Sequence, residues 1–158
     1  MSSVTITLAK ALIAMLFVAL LAIQFWVVPE LAHGMAHLAP EFAHLEIPGI
    51  VLVGLLIVCV EAILVCLWRL LTMVARREIF AGRAFAWVDA IIVAIAAAVA
   101  LVVIGSGMIS TAQAGSPITL ILAVLAVIGG TCAAMVVAVM RSLLHRATAL
   151  EREMAEVV

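Results

Sequence analysis

With 158 residues, 69% of them hydrophobic and only 11% charged, at a mean hydropathy of +1.45, this chain has more apolar surface than a soluble fold of its size can bury, since soluble domains run at about 45–50% apolar and about 25% charged. Its formal net charge of −1 hides a segregation: every Lys and Arg falls in or beside three segments, and the intervening stretch with Glu30, Glu41 and Glu46 has none. The three cysteines lie in apolar runs without a Cys-x-x-Cys pair, which argues against disulfide or zinc chemistry.

Apolar runs of about 18 residues or more read as membrane-spanning helices, because about 20 residues at about 1.5 Å each match a hydrocarbon core of about 30 Å. Four such runs are present, so the expected fold is all-α: a single membrane domain over 1–158, built as a four-helix bundle with both termini cytoplasmic. The first span is expected at about 8–28, with Lys10 at its cytoplasmic end. It is too long for the core of a cleaved signal peptide, and only one basic residue stands near it. The apolar pattern stops at Pro29-Glu30 and opens an outer loop of about twenty residues.

In that loop Glu30, His33, His37, Glu41 and His44 recur at steps of three and four, a spacing that puts them on one side of a continuous helix. Imidazole and carboxylate suit a divalent ion, so His33, His37 and His44 are candidate metal ligands or pH sensors. Pro40 works against a continuous helix. The plainer alternative is an amphipathic segment on the outer leaflet, with Leu31, Met35, Leu38, Phe42 and Leu45 toward lipid.

The second span, at about 50–71, has Glu61 near its middle. An ionised carboxylate at the bilayer centre costs on the order of 2.5–3.5 kcal/mol by insertion scales, so Glu61 needs a proton or a partner inside the bundle. It reads either as a proton or cation site or as a carboxylic acid bonded to Ser106, Thr119 or Thr131 of a neighbouring helix. Gly54 and Trp68 share its stripe, while Cys59 and Cys66 point away.

The hinge from Arg69 to Asp89 holds four of the eight basic residues, and such a loop is retained on the cytoplasmic side. Arg69 and Asp89 are expected to form an ion pair across it. Arg76, Arg77 and Arg83 face solvent or anionic headgroups, and a loop this short against a membrane leaves no room for nucleic acid. The third span, at about 88–109, presents the small residues Ala90, Ala94 and Ala98. Ser116-Pro117 starts the fourth, at about 118–140, where Ala126, Gly130, Ala134 and Ala138 form a second small-residue ridge for helix packing or dimerisation. The tail, 141–158, continues as a short amphipathic helix with Leu143, Ala147, Leu150, Met154 and Val157 in a heptad stripe. About two heptads are too few to hold alone, so the stripe calls for the bundle, the lipid surface or a partner.

Pro40-Glu41 and Pro48, Glu78-Ile79-Phe80, Phe85-Ala-Trp-Val-Asp89-Ala90, and Met140-Arg-Ser-Leu-Leu144 leading to Glu156-Val-Val158 together resemble the bacterial membrane family known as domain of unknown function 2975, over nearly the whole chain. The resemblance implies an inner-membrane location and a gene often beside a small helix-turn-helix regulator. It brings no catalytic or binding residues, and the outer histidines lie apart from its motifs. No nucleophile with a base, and no cofactor box, appears in the sequence. The expectation is a non-enzymatic protein without cofactor, associating with itself or another membrane protein through hinge and tail. A small oligomeric proton or cation transporter using Glu61 is the alternative, and an outer-face metal or pH sensor the third reading.

Overall fold

The computed structural model describes residues 3–38, 40–75, 83–112 and 116–155. They are helical almost throughout: α1 (Ser3–Ala22), a π-helical turn (Ile23–Val27), α2 (Val28–Leu38), a 3-10 turn (Pro40–Leu45), α3 (Glu46–Ala75), α4 (Arg83–Thr111) and α5 (Pro117–Ala155). Four stretches are long and apolar enough to cross a membrane: Thr5–Met35, Ala43–Ala75, Ala86–Thr111 and Pro117–Leu143. The chain is an all-helical membrane protein.

The first span corrects the sequence reading, in which helix gave way to loop at Pro29. A proline inside a helix lacks an N–H and its ring presses on the carbonyl four residues back. Here the turn just before Pro29 widens to the i→i+5 pattern, with Val28 N–H donating to the Ile23 carbonyl, and the chain runs on helically to Leu38. The first part of the segment expected to lie on the leaflet, with Leu31, Met35 and Leu38, is thus a continuation of the first helix, and Phe42 and Leu45 fall in the 3-10 turn that follows. The other spans are also longer than the apolar cores suggested. Pro48 sits in the first turn of α3, where no backbone donor is needed. Helix α4 begins at Arg83 and shortens the hinge. Ser116 caps α5 as expected, its Oγ accepting from Thr119 N–H at 3.3 Å.

The helices pack in a row, each antiparallel to the next: α1 and α2 against α3, α3 against α4, and α4 against α5. Among the described residues no extensive contact joins the first helix to the last. So thin an arrangement has little interior. Among the described residues Leu64, Cys66 and Ile91 are its buried hydrophobic ones and no large side chain is fully enclosed. The accessible area, 11016 Å², exceeds the about 7,600 Å² expected of a compact soluble chain of 16.6 kDa.

Two glycines let backbones approach. A Cβ at Gly105 would lie 2.9 Å from Leu52 Cδ2 of α3, and one at Gly130 would lie 2.5 Å from Val99 Cγ2 of α4. The α5 ridge is partly corrected: Gly130 and Ala134 are half-buried, whereas Ala126 and Ala138 are exposed. A strict four-residue step rotates about 40° each time around a helix of 3.6 residues per turn. The half-buried face instead mixes steps of three and four through Thr119, Ala123, Val127, Gly130, Ala134 and Val137.

Candidate functional site

The start of α1 and the C-terminal part of α5 lie at one end of the bundle, hereafter the basic end, and one contact ties each helix pair there. Lys10 Nζ stands 5.6 Å from the Trp68 ring centroid, joining α1 to α3. Arg69 Cζ stands 5.7 Å from the Trp87 centroid, joining α3 to α4, and Arg141 donates to Asp89 at 2.8 Å, joining α5 to α4. Arg69 and Asp89 therefore do not pair, contrary to the sequence reading. Trp87 and Asp89 are two residues apart and so project from opposite sides of α4, one toward α3 and the other toward α5. The pair that does form is almost half exposed on both sides, and such pairs are worth about 0.2–1 kcal/mol. A double-mutant cycle on Asp89→Asn and Arg141→Gln should give a coupling in that range, and the cycle pairing Asp89→Asn with Arg69→Gln none.

At the opposite end His33 Nδ1 meets Glu46 Oε1 at 2.5 Å, fastening α2 to the start of α3. The three candidate histidines are not gathered: among the described residues no group of three or more His, Cys, Asp or Glu converges. The 3-10 turn from Pro40 breaks the helical register that would have aligned His44 with His33 and His37, and His33 is engaged by α3.

The contacts His33 with Glu46 and Lys10 with Trp68 fix the antiparallel register of the seam between them. It shifts by one residue from end to end, the amount an i→i+5 turn takes up. Phe17 falls level with Glu61, and Gln24 with Gly54. Glu61 lies on the same stripe of α3 as Leu64, Val65 and Trp68, which face α1. It is only 9% exposed, and its Oε1 has no hydrogen-bond partner. Gln24 Oε1, on α1's side, is buried and unpartnered in the same way.

The hydroxyls expected to serve Glu61 are spent elsewhere. Ser106 donates to the Val103 carbonyl at 2.9 Å, Thr131 to the Val127 carbonyl at 2.7 Å, and Thr119 is bonded to Ser116 at 3.0 Å. A carbonyl three or four residues back is always within reach of a helical Ser or Thr. Distance adds to this: the contact of Gly105 with Leu52 puts Ser106 about 15 Å along the axis from Glu61, and among the described residues α5 makes no extensive contact with α3. Buried polar atoms without partners are uncommon and need a reason. The Gln24 oxygen was missed in the sequence because an amide at a span's outer third looks like an interfacial residue. Its four-residue steps from Leu20 and to Val28 were the available signal.

Arg76 and Arg77 lie outside the described residues, as does Val157. Arg83 opens α4. Leu143, Ala147, Leu150 and Met154 all fall on the uninterrupted backbone of α5, and Leu143 is exposed. No curated protein and no solved structure matches the chain. A family model described as "Protein of unknown function (DUF2975)" matches residues 30–158, a stretch that takes in Glu61, Arg69, Asp89, Gly130 and Arg141 and starts within α2, after the whole of α1. The chain belongs to that family of unknown function, DUF2975.

Proposed function

We propose that this chain is a non-enzymatic multi-pass protein of the bacterial inner membrane, seated with its basic end in the cytoplasm, which acts by binding a second copy of itself or another membrane protein through hinge and tail. The observation that carries this reading is α5. It is one helix of 39 residues, about 58 Å long, where the hydrocarbon core takes about 30 Å. Its apolar span ends at Leu143, so about three turns of helix extend past the membrane, carrying the Leu143, Ala147, Leu150, Met154 stripe. A projecting stripe of that length needs a surface to lie on. The orientation is supported by the placement of Lys10, Arg69 and Arg141 at one end and Glu30 and Glu46 at the other.

The test is a cysteine scan of residues 143–155 in native membranes with a bifunctional maleimide. Association through the stripe predicts crosslinking maxima at 143, 147, 150 and 154, and minima at 145, 148 and 152. Crosslinks that ignore helical periodicity, or their absence at every position, would reject it.

A second reading, a small oligomeric proton or cation transporter, is favoured by the unpartnered Glu61 oxygen. Along the seam of α1 and α2 with α3, a polar group recurs about every two turns: His33 with Glu46, then Gln24, Glu61 and Lys10. At about 10–12 Å apart these groups pass a proton only through intervening water. On this reading Glu61→Gln abolishes proton flux in liposomes while assembly is unchanged. On the association reading the same substitution leaves the crosslinking pattern of the tail intact and no flux is seen in either protein.

A further inference from the structure

Toward the basic end, α1 and α3 part to leave a groove of about 290 Å³. Leu64 is its floor at 7% exposed, while Val18 at 64% and Val65 at 45% stand on its rims. The groove therefore opens sideways, toward lipid. Its wall is apolar even where Arg69 contributes, so Arg69 lends its aliphatic stem and holds its guanidinium beyond the mouth, beside Trp87. Lys10, one turn from Ala14 of the wall, lies over Trp68 at the same mouth. Among the described residues neither cation meets a carboxylate, and Asp89, the acid at that level, is taken by Arg141.

The wall covers Ile13 to Val18 on α1 and Leu64 to Arg69 on α3, each about 7.5 Å along its axis; in the antiparallel register they overlap near Ala14 and together run about 13–14 Å, most of the depth of one leaflet's hydrocarbon. That length suits most of a single acyl chain. We infer that this groove between α1 and α3 is a binding site for an anionic phospholipid of the leaflet at the basic end. One acyl chain lies over Leu64, and the lipid phosphate sits between Lys10 and Arg69. A zwitterionic lipid brings its own ammonium to the same two cations and is disfavoured. Lys and Arg at a membrane surface each attract anionic lipid by on the order of fivefold.

The test uses the full-length protein with Trp68 as sole tryptophan (Trp26→Phe, Trp87→Phe), reconstituted in mixed phosphatidylcholine and phosphatidylglycerol vesicles, with bromine on the acyl chains of one lipid or the other. At equal mole fraction, brominated phosphatidylglycerol should quench Trp68 with an apparent affinity on the order of tenfold higher. Lys10→Gln with Arg69→Gln, checked for helicity by circular dichroism, should bring the two lipids level. Arg76→Gln with Arg77→Gln, which removes the same number of positive charges from the hinge, should leave the preference in place. Should the double variant fail to fold, Lys10→Gln alone should show part of the loss. Equal quenching by the two lipids in the parent overturns the site, as does a preference that survives the loss of both cations.

Discussion

Replacing Gly130 by leucine is expected to force α5 off α4 and to lower stability in detergent by about 1–3 kcal/mol or more, while the same replacement at Gly129 changes it by less than about 0.5 kcal/mol. The two glycines are neighbours in sequence, yet a Cβ at Gly129 meets nothing within 4 Å and one at Gly130 falls 2.5 Å from Val99 Cγ2. Val99 cannot swing aside, since a β-branched side chain in a helix is held in one rotamer about 90% of the time. The backbone has to move instead, and membrane helices rely on close packing because lipid gives them no hydrophobic drive to associate. Gly105→Ala is the milder case, because the atom it meets is the flexible tip of Leu52. Unfolding followed by circular dichroism checks the series. Equal losses at positions 129 and 130 would contradict the packing of α5 on α4 described above.

Glu61→Met is expected to raise stability by about 1–3 kcal/mol, the cost that an unsatisfied buried polar group carries. Methionine fills a comparable volume and adapts its shape, and it removes the carboxyl oxygen that has no partner. Glu61→Gln keeps an oxygen in the same place and should gain little. A substitution that stabilises so simply marks a residue retained for something other than holding the helices together, in keeping with the costs functional groups impose on their folds. If Glu61→Met destabilises instead, the carboxyl has a structural partner and the case for a proton site in the seam is lost.

The four crossings were legible because bilayer thickness fixes the length of an apolar run, and no tertiary detail enters that rule. Helix ends were less so. Pro29 reads as a stop, and only a widened turn upstream shows how the helix survives it. Partner choice was legible least of all. Asp89 lies nearer in sequence to Arg69 than to Arg141, but the face of α4 decides between them, and that face is set by packing between residues 52 positions apart. Glu61 announced itself as an isolated acid in an apolar run. Its lack of a donor did not, because Ser106, Thr119 and Thr131 looked available until their local bonds were seen. The histidine spacing was real as a pattern, but His33 is claimed by Glu46 on the next helix.

Everything proposed for hinge, tail and lipid groove turns on which compartment the basic end faces. In a chain with Cys59, Cys66 and Cys132 replaced by alanine, single cysteines at His37, Ala114, Arg76 and Ala155 can be probed in intact cells with a membrane-impermeant maleimide. Four crossings with a cytoplasmic basic end predict that positions 37 and 114 label at once, and that 76 and 155 label only after the membrane is permeabilised. Labelling of 76 or 155 in intact cells, or protection of 37 and 114, would contradict it.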